Sequence, residues 1–410
     1  MDGRLRTRTI RVASGAILAV ALMSGSTQAA APGPDAPFYV PKPNPDAIHQ
    51  IAALRADGRK ADAALIEWMT GTPSAVWFTS GSPKVVGQAV KATVQRAAGK
   101  QTVPVLVAYN VPGRDCSQYS AGGAPTGDDY RAWIDSFAAA IGDHHVMVIL
   151  EPDGVALTPI DCGQPDTFDR VGLIRYAIDT IGTEAPNAAV YLDAGHNAWH
   201  NVGDIASRLV AAGVNDAAGF YLNPSNYQYT TNVVMYGTWI SNCIASGDYA
   251  NCPNQYWNGG PLPSKIAQLL GEWTGVALSS YGTWSDDADD PALNTSGINL
   301  RYAGAAPTTH FVVDTSRNGK GPWRPDAAYP SPEDWCNPPD RGLGIRPTRE
   351  TGNDLVDAFV WIKIPGESDG LCHRGTGGPE DPARNMVDPP AGQWFPEMAL
   401  ELVHHANPAP

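Results

Sequence analysis

Apolar runs and helix-period patterns alternate along this chain, and that order predicts an architecture before any single residue is weighed. Apolar positions recur at helical spacing over 47–69, 84–98, 128–141, 168–181, 202–212 and 395–405. Between them stand short runs rich in β-branched and aromatic residues at 74–79, 102–109, 146–150, 188–193, 219–222, 309–314 and 358–363. Runs such as Val146-Met147-Val148-Ile149-Leu150 show no polar alternation, as expected of strands covered on both faces. Strand–helix alternation implies an α/β fold with a parallel sheet, and the count of about seven runs favours a closed β/α barrel over an open doubly wound sheet, in one domain over 46–410. The stretch 227–308 is too long for a single crossover, so an ordered insertion near a cleft is expected there. It holds Cys243, Cys252, Tyr256, Trp257, Trp273, Trp284 and the acidic run 286–290.

The strands deliver carboxylates to one end of the sheet. The run 146–150 enters Glu151-Pro152-Asp153, and 102–109 leads to Arg114-Asp115-Cys116. The run 188–193 ends on Asp193, 309–314 on Asp314, and 358–363 leads past Lys363 to Glu367 and Asp369. Acid catalysis needs such a set, because one carboxyl must hold a proton while another stays ionised.

Composition narrows the setting. Arg4, Arg6, Arg8 and Arg11, an apolar stretch from Val12 to Met23, and small residues through Ala31 form the three regions of a secretory signal peptide over 1–30. Its apolar part is too short to span a bilayer. Losing four Arg and one Asp would take the formal charge from −14 to about −17, which disfavours nucleic acid and anionic membrane as partners. A Pro-rich arm follows at 31–45. Six Cys in a secreted chain make pairing expected, with 15 connectivities open, and the spacing suggests Cys116 with Cys162, Cys243 with Cys252, and Cys336 with Cys372. No Cys or His spacing suits zinc, so neither a metal nor a cofactor is expected. Twelve Trp supply flat faces that suit sugars, although most Trp pack in cores.

Six blocks in order resemble the family 6 glycoside hydrolases, the inverting cellulases, over 38–406. They are Val107 to Cys116 continuing through Ser120-Ala121-Gly122-Gly123; Leu150-Glu151-Pro152-Asp153; Leu192 to His196; Asp314 to Gly319; Trp335-Cys336-Asn337-Pro338-Pro339; and Trp361-Ile362-Lys363 with Gly366 to Gly370. The resemblance implies a distorted, roughly seven-stranded parallel β/α barrel and a β-1,4-glucan substrate. Asp153 matches the general acid, Asp115 the neighbour that raises the acid's pKa by its like charge, and Asp369 the base, acting through water. Tyr109 matches the residue that presses on a distorted sugar, Asp193 a carboxylate that steadies substrate, and Arg114 and Arg317 arginines that hold carboxylates. Trp77, Trp199 and Trp335 match stacking platforms, while Lys363, Glu367, His196 and Asn226 match hydroxyl-binding positions. Asp314 is expected to hold loop geometry. Ala121 stands where many members have a second serine that helps place the attacking water.

Only Gly370 and Leu371 separate Asp369 from Cys372, where chain-end cutters of the family carry a long roofing loop. Trp199 is followed by His200 rather than a second Trp. Both features favour an open cleft and internal cleavage by an extracellular monomer. Chain-end action is the alternative within the family. A glucan-binding protein without catalysis would be expected to lack one of Asp115, Asp153 and Asp369, and all three are present.

Overall fold

A computed structural model describes Met1 and residues 33–256 and 276–410. The expected signal segment beyond Met1 lies outside the described residues, as do Trp257 and Trp273. Seven strands form one sheet: β1 (Val76–Phe78), β2 (Val105–Ala108), β3 (Val146–Leu150), β4 (Ala188–Asp193), β5 (Gly219–Leu222), β6 (His310–Asp314) and β7 (Val356–Val360). Each pairs in parallel with the next in chain order. Registers such as Ala108 with Leu150 and Leu150 with Leu192 align the strand ends that carry the acids.

The sheet curls into a barrel with one open seam, since among the described residues no ladder joins β7 to β1. Two causes are visible. The strand β1 has three residues, and the outer edge of β7 is already occupied, Thr348 and Phe359 exchanging both backbone hydrogen bonds at 2.9 Å. The seam is held instead by Ala75 N–H on the Trp361 carbonyl at 2.9 Å and by the Trp77 indole N–H on the Ile362 carbonyl at 2.8 Å.

Burial on both faces explains the unbroken apolar runs. Val107, Tyr109, Ile149, Tyr191, Tyr221, Val312 and Val360 fill the barrel interior. Their neighbours Leu106, Ala108, Val148, Leu150, Leu192 and Val313 meet the helices outside. Capping starts those helices: Ser82, Thr126 and Asn201 accept from the backbone N–H groups of Val85, Asp129 and Asp204. The pattern over 47–69 resolves into two helices, Pro45–Ala56 and Lys60–Thr70. The break is Asp57-Gly58-Arg59, where Gly58 takes φ +79°.

The stretch 227–308 begins with a barrel element rather than an excursion. Helix Thr230–Ser246 connects β5 to β6, and it is buried on most of its surface. An amphipathic pattern is therefore absent, and the helix is not visible by periodicity. Trp284 belongs to the core, stacked on Trp239 with ring centres 5.3 Å apart. The three disulfides pair Cys116 with Cys162, Cys243 with Cys252 and Cys336 with Cys372.

Candidate active site

A cleft of about 660 Å³ opens at the carboxyl ends of the strands. Parallel strands present successive loops at this end, so groups far apart in sequence converge there. Tyr109, Arg114 and Asp115 reach it from the loop after β2, Asp153 from the turn after β3, and His196 and Trp199 from the loop after β4. Asn226 enters after β5, Trp335 after β6, and Lys363, Glu367 and Asp369 after β7, with Trp77 supplied by β1. Two expected site residues, Asp193 and Arg317, are fully buried behind the lining.

Asp153 sits in an environment that keeps a proton. Its backbone is left-handed at φ +63°, and Glu151 in the same turn has φ +48°. Such conformations cost energy for non-glycine residues and are held by their surroundings. The Tyr109 hydroxyl lies 3.4 Å from one Asp153 oxygen. Burial, then the Asp193 charge, then the Asp115 charge push the Asp153 carboxyl up to about 8. Burial also raises the neighbouring Asp193, to about 6, and backbone N–H donors limit that rise. Asp193 accepts from the backbone N–H of Ala156 at 3.1 Å and of Gly195 at 3.0 Å, donors that favour the anion.

Asp193 has no exposure and no place in the lining; it ties the turn of Asp153 to the end of β4. The Arg114 guanidinium donates to the carbonyls of Thr79, Tyr109 and Ser120, lies 4.4 Å from the Tyr109 ring centre, and by its charge opposes the rise of the Asp115 pKa.

Asp115 is half-buried in a short 3₁₀ turn (Asp115–Ser117) and accepts from Ser120 N–H at 2.6 Å. Burial raises its pKa. The disulfide Cys116–Cys162 pins this turn.

Asp369 has the opposite surroundings. Burial works to raise its pKa, but Arg317 and Lys363 outweigh it and hold the carboxyl below its ordinary value. Arg317 Nη1 lies 2.8 Å from Oδ2, and Lys363 Nζ lies 3.3 Å from Oδ1. The Tyr227 hydroxyl and Asn337 N–H also reach Oδ2, at 3.3 and 3.0 Å. Asn337 Oδ1 in turn accepts from Asp369 N–H at 2.7 Å, and the Cys336–Cys372 disulfide brackets the pair.

The rest of the lining is suited to a polyol. Trp77 is fixed by its bond to Ile362 and packs edge-on against Tyr109 with ring centres 5.6 Å apart. Trp199 stacks on His200 at 5.0 Å, and Trp335 packs beside Tyr119 at 5.9 Å. Burial drops the His196 pKa to about 3, so the ring is neutral; its Nδ1 accepts from Ala198 N–H at 3.2 Å, which leaves Nε2–H as a donor. Lys363 donates to the Ser368 carbonyl at 2.9 Å, and Glu367 accepts from Asn44 of the Pro-rich arm at 3.1 Å. Asn226 Oδ1 accepts from Tyr227 N–H at 2.8 Å.

Several participants escaped the sequence reading. Glu151 is fully buried, accepts from Val111 N–H at 2.9 Å and from Asn110 N–H, and is lifted to about 7 by burial. Arg170 donates to the Pro112 carbonyl at 2.9 Å and braces the loop that carries Asp115. Tyr227 and Asn337 hold Asp369 in place. Of these, Glu151 and Asn337 stood inside recognised blocks, which was the one available signal. Asp314 accepts from Ser225, Ser316, Ile362 and Lys363 N–H groups at 2.9 to 3.2 Å, so it ties three strand ends together.

Comparison with known proteins places this geometry. The model of Glycosyl hydrolases family 6 matches residues 34–406. Endoglucanase A of Cellulomonas fimi is 33% identical over 377 residues, 92% of this chain, and the chain spans 63% of that protein's length. A probable 1,4-β-D-glucan cellobiohydrolase C of Aspergillus niger is 31% identical over 368 residues, covering 82% of this chain and 69% of that protein. Among solved structures, the endoglucanase Cel6 of Mycobacterium tuberculosis, in complex with methyl-cellobiosyl-4-deoxy-4-thio-β-D-cellobioside, aligns at TM-score 0.65 and 33% identity over 90% of this chain and 97% of that one. With a family model matching across nearly its whole length, the same fold and the acid-bearing strand ends, this chain belongs to glycosyl hydrolases family 6.

Proposed function

We propose that this protein is a secreted, monomeric endo-β-1,4-glucanase that cleaves cellulose or related β-glucans with inversion and without a cofactor. The observation that carries the proposal is the contrast within one cleft between Asp153, driven toward its protonated form, and Asp369, held as an anion. Asp153 gives its proton to the departing glycosidic oxygen as the C–O bond breaks. Water attacks the opposite face of the ring and loses its proton, through intervening water, toward Asp369. The Arg317 and Lys363 cations make Asp369 a weak base, which suits attack on an oxocarbenium-like centre late in bond breaking. Tyr109 stands at the acid, and Trp77, Trp199 and Trp335 offer faces to successive glucosyl units.

The names of the Cellulomonas and Mycobacterium relatives support internal cleavage, and the short 370–371 segment agrees with it. Secretion rests on the N-terminal pattern and the three disulfides. The test follows viscosity against reducing ends on carboxymethyl cellulose. A steep early fall in viscosity per reducing end is expected, and release of reducing ends with viscosity unchanged would mean chain-end action.

A further inference from the structure

The segment that follows the Cys336–Cys372 disulfide buries two carboxyls, Asp381 and Asp388. They are served differently. Asp381 accepts from Arg374 Nε at 3.0 Å, from Arg374 Nη2 at 2.7 Å and from Ala383 N–H at 2.8 Å. Asp388 accepts at Oδ2 from Asn337 Nδ2 at 2.8 Å, and its Oδ1 is buried with no hydrogen-bond partner among the described residues. A buried carboxyl with half of its capacity empty costs free energy, and packing does not explain its presence.

The partner of Asp388 stands beside Asp369. Asn337 is fully buried, with a left-handed backbone at φ +40°. Its N–H donates to Asp369 Oδ2 at 3.0 Å, and its Oδ1 accepts from Asp369 N–H at 2.7 Å, so backbone and side chain of one residue clasp the other. That clasp needs the carboxamide one way round. Turned over, it would set Nδ2 against the Asp369 N–H, donor on donor, and Oδ1 against acceptors. Three acceptors mark the Nδ2 side: Asp388 Oδ2, Ser368 Oγ at 2.9 Å and the Gly370 carbonyl at 3.0 Å. Ser368 and Gly370 flank Asp369 in the chain and move with it. Asp388 ties the clasp to a separate segment, whose Arg384 Nε also donates to the Asn337 carbonyl at 2.7 Å.

We infer that Asp388 is a positioning residue for the reaction: by accepting from Asn337, it fixes the amide that holds the Asp369 carboxylate. The inference rests on the glucanase reading above. Asp388 lies outside the cleft lining and so acts only through Asn337. Arg317, Lys363 and Tyr227 face Asp369 directly, with Glu367 beside Lys363, while Asp381, Arg374 and Arg384 surround Asp388. Burial lifts the Asp388 carboxyl to about 7. In the acidic range where Asp369 takes up its proton, Asp388 is therefore neutral, and what it offers Asn337 there is a hydrogen bond rather than a charge.

The experiment compares the wild-type protein with Asp388→Ala, Asp388→Leu and Asp388→Asn on a soluble cello-oligosaccharide, with circular dichroism confirming the folded state. Alanine and leucine both remove the acceptor, one leaving space and the other filling it, so either folded variant serves. In them kcat is expected to fall several-fold with KM unchanged. The acid limb of kcat is expected to move to higher pH, because Asp369 loses the Asn337 donor that favours its anion and takes up its proton sooner as pH falls. Asp388→Asn, which keeps an acceptor oxygen, is expected to recover most of both effects. Wild-type kcat or an unmoved acid limb in the folded alanine or leucine variant, or an asparagine variant as impaired as they are, would overturn the inference and leave the glucanase reading standing. A wild-type chain that hydrolyses no β-1,4-glucan would instead overturn that reading and the positioning role with it.

Discussion

The two walls of the cleft treat a carboxylate in opposite ways. Around Asp153 there is burial, a phenol and two further carboxylates, while the buried Arg170 donates to a loop carbonyl and opposes the rise only weakly. Around Asp369 there are two cations and two further donors. Both groups are aspartates at the mouth of the same sheet, so the difference in their chemistry comes wholly from neighbours. One wall stores a proton and the other stores a charge, the division that an acid–base reaction at near-neutral pH requires.

The contrast is broken most severely on the acid wall. Asp153→Asn keeps the shape of the side chain but has no proton to give, and it is expected to lose about 10² to 10⁴ in kcat on cellulose. Cello-oligosaccharide affinity should change little, and substrates with acidic aryl leaving groups should retain more activity because they need less protonation. Reducing-sugar assays and titration calorimetry on one preparation would check both; near-wild-type turnover on cellulose would remove Asp153 from the role.

On the other wall, Arg317→Met leaves the buried Asp369 short of its main partner. An uncompensated buried charge costs about 3 to 5 kcal/mol, which denaturant unfolding would record together with lost activity. An Arg317→Lys change should recover part of the stability, since the charge returns without the two-pronged geometry. Equal stability in wild type and Arg317→Met would contradict the cationic cage.

The disulfides offer a comparison between walls at the level of loops. Cys116–Cys162 pins the arm of Asp115, and Cys336–Cys372 brackets Asp369. Replacing either pair by alanine is expected to cost about 2 to 5 kcal/mol. Differential scanning calorimetry would show it, and an unshifted transition would mean that the loops are held by their hydrogen bonds alone.

The smallest change sharpens the account. Asp115 raises the Asp153 pKa by its charge, so Asp115→Asn lowers that pKa. Since the acid works only while protonated, the alkaline limb of kcat should move to lower pH, by about one unit or roughly 1.4 kcal/mol of interaction. Movement in the other direction would contradict the like-charge mechanism.

Much of this was legible in the chain. The strands β3, β4 and β5 coincide with their apolar runs, because strands buried on both faces have no competing pattern. The helix Thr230–Ser246 was hidden for the same physical reason: with Asn232, Ser241 and Asn242 buried among apolar neighbours, its polar residues do not mark an outer face. In the site, the residues expected as stacking platforms or hydroxyl-binding positions line the cleft, and Trp335, Lys363, Glu367 and His196 among them stand inside motif blocks at strand ends; Asp193 does not line it. What sequence did not show is who holds whom. Asp193 gripping the turn of Asp153, and Tyr227 and Asn337 on Asp369, are contacts between residues 32 to 142 positions apart, and no local pattern encodes them. The seam was hidden likewise, because Thr348 on the edge of β7 has no strand pattern of its own.

The central claim is that a protonated Asp153 and an ionised Asp369 act on opposite faces of the sugar ring. Proton NMR of the first products from a soluble β-1,4-glucan oligosaccharide, taken before mutarotation, tests it most directly. The account predicts the α-anomer at the new reducing end; a β-anomeric first product would contradict the division of roles between the two walls.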